Sequence, residues 1–216
     1  MRKDKTELIF ILDKSGSMAG LEQDTIGGFN ALIEKQRKLS GDVRVTTVLF
    51  NQAYELLHDR IPLAGVSPLT ETEYAVGGTT ALLDAIGFAI QKAANAQKGA
   101  GEDQRADRIM FVITTDGMEN ASCEYDYKKV QEMIGKMKGR SDWEFIFLGA
   151  NIDAIATAKK FGVKEEFAVN YHADAEGTEL NFNVLSEAVS SFRIGKSIDP
   201  SWKKEIERDF SSRRKK

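Results

Sequence analysis

The chain has 216 residues, 42% hydrophobic and 29% charged, so it can bury a globular core and disorder is not expected. Its formal net charge of −3 argues against a nucleic-acid-binding protein that relies on a broad basic surface. The single cysteine, Cys123, excludes an intrachain disulfide, and no apolar stretch is long enough to span a bilayer. The charged start, residues 1–5, shows no signal-peptide pattern, so the expected compartment is the cytoplasm.

The first apolar run, residues 8–12, predicts a strand that is buried on both faces and ends abruptly at Asp13. Ser15 and Ser17 follow at alternate positions, and Gly16 between them allows the backbone to bend back toward the acid. One carboxylate and two hydroxyls at the carboxyl end of a strand form an all-oxygen cluster. Hard cations such as Mg²⁺ prefer ligands of this kind.

Hydrophobic periodicity divides the rest of the chain into alternating strands and helices. The predicted strands are residues 8–12, 43–50, 54–61, 108–115, 143–148 and 166–170. The predicted helices are residues 21–39, a helix that opens at Thr79 or Thr80 and gives way to a solvated loop over 95–107, and residues 124–138, 153–161 and 176–192. This alternation predicts an α/β fold with a doubly wound, mostly parallel six-stranded sheet in the order 3-2-1-4-5-6. The short turn before the third strand makes it antiparallel, at the edge of the sheet.

Two later loops carry further oxygen-bearing side chains. One is the Gly-Gly-Thr-Thr stretch of residues 77–80, and the other carries Asp116 after the fourth strand. Ligands of doubly wound sheets bind at the switch point between the first and fourth strands, which end at Asp13 and Asp116. The threonines have two compatible interpretations, as the N-cap of a helix or as a metal ligand, because Thr80 can cap while Thr79 faces the metal.

This combination of loops, in this order, resembles the metal-ion-dependent adhesion site (MIDAS) of the von Willebrand factor type A (VWA) family, in its stand-alone bacterial or phage-like form. The motif in the first loop is Asp-x-Ser-x-Ser at residues 13–17, and the resemblance covers about residues 6–192. It implies a complete metal-ligand set of Asp13, Ser15, Ser17, Thr79 and Asp116.

The resemblance also implies a function. A VWA domain of this type binds Mg²⁺, or Mn²⁺ or Ca²⁺, and the cation coordinates an Asp or Glu of a partner protein. In stand-alone bacterial relatives the partners include chaperone-like ATPases. We therefore expect a protein-binding module that is not an enzyme and has neither a nucleic-acid nor a membrane partner. The surrounding loops would form a rim that sets specificity, with residues 18–20, Glu119, Asn120 and Asn151.

The alternative from another class is a Mg²⁺-dependent phosphotransferase or phosphatase of the haloacid dehalogenase type, which also places an aspartate at the end of its first strand. That family needs a second aspartate two residues later as acid and base, and this chain has Ser15 there. A serine hydrolase is disfavoured, since His58 and His172 fall outside the loops at Asp13. Cys123 is interpreted as an incidental free thiol.

After the VWA domain, assigned to residues 1–195, a segment over 196–216 is predicted to form a short helix and a basic tail. Asp199 and Pro200 are typical of a helix start. Trp202, Ile206 and Phe210 then lie one turn apart on a single face. The favoured interpretation packs this face on the flank of the domain, and the alternative makes it a docking stripe for a partner.

Overall fold

The computed structural model describes residues 5–139 and 142–213, so the charged start before residue 5 and the last three residues of the basic tail lie outside the described residues. Six strands form one sheet in the order β3-β2-β1-β4-β5-β6, in which only β3 is antiparallel to its neighbour. The predicted fold class, strand order and antiparallel edge strand are therefore confirmed. The strands are β1 Lys5–Asp13, β2 Asp42–Phe50, β3 Tyr54–Pro62, β4 Arg108–Thr115, β5 Asp142–Gly149 and β6 Ala168–Asn170.

Helices alternate with the strands and form two groups, because α1 packs against α5 while α2 packs against α3 and α3 against α4. They are α1 Glu22–Arg37, α2 Leu82–Gly99, α3 Tyr127–Lys138, α4 Ala154–Lys160, α5 Ala175–Arg193 and α6 Lys204–Arg213. Within the part of the chain that the structure describes, no helix is both long and apolar enough to cross a membrane.

The central strands β1 and β4 form a rigid base for a site at the carboxyl ends of the strands. Every residue from Leu8 to Leu12 is buried, so helices cover both faces of β1. Phe10 meets Phe29 of α1 edge to face at 5.4 Å. Because the two strands are parallel neighbours, their carboxyl ends reach the same edge of the sheet, and the loops that follow them lie side by side.

Helix α2 is the main departure from the predicted elements. It begins at Leu82, later than the predicted opening at the threonines, and it continues to Gly99. The predicted solvated loop over 95–107 is therefore wrong for its first five residues. These residues include Ala96, Gln97 and Lys98, which are good helix formers, so local propensity extends the helix past its last buried turn.

The C-terminal segment packs on the flank of the sheet, as the favoured interpretation predicted. Trp202 donates its indole N–H to the carbonyl of Glu166 at 2.9 Å. Ile206 is buried, and the Phe210 ring packs against His172 with 4.7 Å between centroids. The apolar face of this helix thus packs within the protein, as the favoured interpretation expects, with Ile206 buried and Trp202 and Phe210 half-buried.

Candidate metal centre

Two acids lie at the carboxyl ends of the central strands. In the β1–β4 register Leu12 pairs with Thr114, so Asp13 lies beside the end of β4 and Asp116 follows one residue beyond it. Asp13 is completely buried, and Asp116 is only 2% exposed. The switch point of the sheet therefore brings two of the five predicted ligands together, in a place that is largely shielded from water.

The carboxylate of Asp13 is fixed by hydrogen bonds on both oxygens. Its Oδ1 accepts from the backbone N–H of Ser15 at 2.7 Å, and its Oδ2 accepts from the Thr115 hydroxyl at 2.5 Å. The Tyr74 hydroxyl donates to the backbone carbonyl of Asp13. Sequence reasoning missed Thr115 and Tyr74. The position of Thr115 at the end of β4, beside Asp13, could have indicated its role. Tyr74 lies in an irregular stretch whose sequence has no pattern that indicates such a role.

Asp116 is in the opposite situation, since neither of its carboxylate oxygens has a hydrogen-bond partner among the described residues. Burial raises the pKa of Asp116, the nearby hydroxyl of Ser17 opposes that rise, and the negative charge of Asp13 adds to it. Burial likewise raises the pKa of Asp13, against the effect of its hydrogen bonds with Ser15 and Thr115. Like charges oppose each other's ionisation, so the Asp13 carboxylate makes Asp116 harder to ionise.

Three hydroxyls surround a small space beside Gly117. The Ser15 and Ser17 hydroxyl oxygens are 3.1 Å apart. A Cβ atom added to Gly117 would lie 2.9 Å from both Ser17 Oγ and Thr80 Oγ1, and 3.7 Å from Ser15 Oγ. A side chain at residue 117 would therefore fill the space that these hydroxyls share, and glycine keeps it open.

The hydroxyl from the second loop belongs to Thr80, whereas sequence analysis assigned the ligand to Thr79. Thr80 is 3% exposed and its Oγ1 faces the space at Gly117. Thr79 is exposed, and its backbone N–H donates to Gln52 Oε1 at 3.2 Å. The N-cap interpretation fails for both threonines, because Ala81 occupies the cap position of α2. Sequence cannot separate two adjacent threonines, since the turn before them decides which one faces inward.

Backbone hydrogen bonds hold the first two loops together. The Gly16 N–H donates to the Gly78 carbonyl at 3.0 Å, and the Gly77 N–H donates to the Lys14 carbonyl at 2.9 Å. Gly78 has φ +82°, a conformation that glycine adopts without strain, and a Cβ there would collide with the Gln52 side chain. The turn that directs Thr80 inward is thus built on glycine.

The rim of the site differs from the predicted one in three side chains, Met18, Met118 and Glu119. Asn120 and Asn151 are exposed as expected, and Met18 is buried. Met118, which sequence analysis did not single out, is 73% exposed two residues after Asp116. Glu119, which was assigned to the rim, directs its carboxylate into the protein instead, where it accepts hydrogen bonds from the backbone N–H groups of Leu83 and Ala121.

Comparison with known proteins identifies the fold. No protein family and no curated protein matches the chain in sequence. Among solved structures, the vWF domain of the type V pili tip protein Mfa5 from Porphyromonas gingivalis is 11% identical, with a TM-score of 0.61. The match covers 92% of this chain and 99% of the Mfa5 domain. The chain has the von Willebrand factor type A fold.

Other VWA-like structures were determined with divalent metals. Proximal thread matrix protein 1 (PTMP1) from the mussel byssus, with a zinc-occupied MIDAS motif, is 10% identical at a TM-score of 0.61. The match covers 86% of this chain, which spans only 48% of the length of PTMP1. The manganese-loaded TRAP protein from Plasmodium vivax is 22% identical at a TM-score of 0.57, over 82% of this chain and 72% of TRAP.

Proposed function

We propose that this VWA domain is a divalent-metal-dependent protein-binding module, whose cation coordinates an Asp or Glu of a partner protein. The observation that carries the proposal is Asp116, a buried carboxylate with both oxygens unpartnered. The proposed ligands, with Thr80 in place of the Thr79 expected from sequence, are Asp13, Ser15, Ser17, Thr80 and Asp116.

The arrangement fits a hard cation. A buried carboxylate without partners costs free energy, and a bound divalent cation offsets the charge of Asp116 and Asp13 together. Within residues 5–139 and 142–213, no three His, Cys, Asp or Glu side chains cluster as metal ligands. The proposed donors are two carboxylates and three hydroxyls, all oxygen, which favours Mg²⁺, Mn²⁺ or Ca²⁺ over softer metals. The zinc in PTMP1 and the manganese in TRAP support a divalent cation without selecting one.

The chain's own residues favour binding over catalysis. When bound, the cation supplies a coordination position that a partner's carboxylate occupies. The ligand hydroxyls are neutral, so they neutralise little of the positive charge of the cation. The position two residues after Asp13, where a haloacid dehalogenase needs its acid, holds Ser15, whose hydroxyl pairs with that of Ser17. We therefore do not favour the phosphotransferase alternative.

Asp116→Asn tests the proposal because it removes the charge and keeps the shape. Wild-type protein is expected to bind Mn²⁺ in calorimetry and to melt at a higher temperature in Mg²⁺ than in chelator, since a ligand of the native state stabilises it. Asp116→Asn should lose both responses while remaining folded. Asp126→Asn, at the N-cap of α3, is the matched control and should keep both responses. An unchanged metal response in Asp116→Asn would remove the site from this place.

The binding function needs its own experiment. Immobilised wild-type domain should retain its partner from an extract of the source cells in Mg²⁺, and release it when chelator is added. The Asp116→Asn domain should not retain that partner in either condition. A partner held equally by both domains, with or without chelator, would show that the binding face lies elsewhere and would contradict the proposed function.

A further inference from the structure

The carboxylate of Glu119 makes four hydrogen bonds within the protein. Its Oε1 accepts from the backbone N–H groups of Ala121 at 3.0 Å and Ser122 at 2.8 Å. Its Oε2 accepts from the Leu83 N–H at 2.8 Å and from the Ser122 hydroxyl at 2.7 Å. Leu83 is in the first turn of α2, so Glu119 joins that helix to the loop after β4. A negative charge at this end of a helix is also stabilised by the helix dipole.

A second connection joins the same two loops one residue away. The Thr80 N–H donates to Asn120 Oδ1 at 2.8 Å, and the Asn120 N–H donates back to the Thr80 carbonyl at 3.0 Å. Thr80 and Asp116 are the proposed ligands from these loops. Their separation is therefore set by bonds at residues 119 and 120, which themselves lie outside the ligand set.

On the basis of the proposed metal site, we propose that Glu119 is a positioning residue, whose carboxylate fixes the loop carrying Asp116 against the start of α2 and so sets the distance from Asp116 to Thr80. Magnesium accepts ligands only near about 2.0–2.1 Å and in near-octahedral directions, so an error in this separation directly weakens binding. A role in contacting the partner, as expected for a rim residue, is replaced by a role in holding the site.

Glu119→Gln is a sharp test because all four partners of Glu119 are donors. A glutamine amide presents an NH₂ group on one side, which meets donors and loses their hydrogen bonds. The matched control is Asp84→Asn. Asp84 of α2 also accepts hydrogen bonds from three backbone N–H groups in the segment between β4 and α3, but these donors lie farther along the chain from Asp116. These three donors are Cys123, Glu124 and Tyr125.

The measurement is Mn²⁺ affinity by calorimetry at a temperature where all variants are folded, together with melting temperature in chelator. Glu119→Gln should weaken Mn²⁺ binding about tenfold, equivalent to about 1.4 kcal/mol. Asp84→Asn should lower the melting temperature in chelator but leave Mn²⁺ affinity within about threefold of wild type, on the same scale. A purely structural role for Glu119 would lower the melting temperature and leave the affinity unchanged.

Each outcome decides between distinct statements. Wild-type Mn²⁺ affinity in Glu119→Gln, or an equal loss in Asp84→Asn, would overturn the positioning role and leave the metal site standing. A wild-type protein that binds no Mn²⁺ would instead overturn the proposed function. If Glu119→Gln does not fold, Ser122→Ala replaces it, because it removes one of the four donors. That variant should weaken Mn²⁺ binding in the same direction by a smaller factor, and wild-type affinity would overturn the proposal.

Discussion

The Thr115 hydroxyl, on β4, donates a 2.5 Å hydrogen bond to Oδ2 of Asp13 at the end of the neighbouring strand β1. It joins the two central strands through side chains at the point where the proposed metal site begins. Each oxygen of Asp13 thus has one bond from the protein, which leaves its remaining lone pairs for a ligand.

Thr115→Val tests this relationship in chelator. Valine has the same shape but no hydroxyl, so Asp13 keeps a buried oxygen without a donor, a loss of about 1–3 kcal/mol. For a protein of this size the melting temperature should fall by roughly 2–12 °C, because 1 kcal/mol corresponds to about 2–4 °C. Calorimetric melting in chelator measures it. A melting temperature equal to that of wild type would mean that the bond contributes nothing to stability.

The choice between the two adjacent threonines is tested by Thr80→Ala and Thr79→Ala. Thr80→Ala removes a hydroxyl from the space at Gly117. Its Mn²⁺ affinity should fall roughly threefold to tenfold, which corresponds to the loss of about one hydrogen bond between neutral groups. Thr79 is exposed, so Thr79→Ala should bind Mn²⁺ like wild type. Calorimetric titration of both variants gives the comparison. A larger loss in Thr79→Ala would return the ligand role to Thr79.

Gly117→Ala should block the site sterically. The new methyl group would lie 2.9 Å from the Ser17 and Thr80 hydroxyl oxygens, where a cation is proposed to bind. Mn²⁺ binding should be lost, with little change in the melting temperature in chelator. Gly135→Ala is the control, because its methyl group meets nothing within 4 Å and a helical alanine adds about 0.5–1 kcal/mol of stability. Undiminished Mn²⁺ binding by Gly117→Ala would show that the space is not the metal position.

Asp174, at the N-cap of α5, forms a salt bridge of 2.5 Å with Arg213 at the end of α6, and this pair should make stability depend on pH. Burial acts to raise its pKa, but hydrogen bonds from the Gly177 N–H and Arg213 and the charge of Arg213 outweigh it, so the pKa is lowered. A carboxyl whose pKa is lower in the folded protein adds stability above its unfolded pKa, and this stability is lost as the pH falls through the folded value. His172, Asp209 and Glu176 are the other charged or titratable groups around this pair.

Asp174→Asn isolates this contribution because asparagine still caps α5. The variant should melt below wild type at pH 7, by a small margin since the pair is partly exposed. The difference should shrink as the pH falls below about 4, the ordinary pKa of an aspartate in the unfolded chain, because the folded carboxyl, whose pKa is lower, takes up its proton only at still lower pH. Paired melting curves from pH 7 to pH 3 measure it. A difference that grows toward acid pH would reverse the sign and contradict the assignment.

The order of the strands and the meeting of Asp13 with Asp116 could be predicted because both depend on patterns that extend over many residues. Hydrophobic periodicity fixes the elements, and the topology of a doubly wound sheet brings the first and fourth loops together. The roles of Thr80 and Glu119 could not be predicted in the same way. They depend on the backbone direction of single residues in turns, where a rotation of one peptide exchanges an exposed side chain for a buried one.

Lys203, in the C-terminal segment that packs on the sheet, covers part of the border of the sheet at β6. The ammonium group of Lys203 donates to the Ala168 carbonyl at 2.8 Å and to the Glu165 carbonyl at 2.7 Å, so backbone acceptors at this border are already occupied. The opposite border, β3, carries register irregularities and ends at Pro62, which has no N–H to offer. A strand from a second molecule would meet obstacles at both borders, which protects a sheet of this kind from edge-to-edge aggregation.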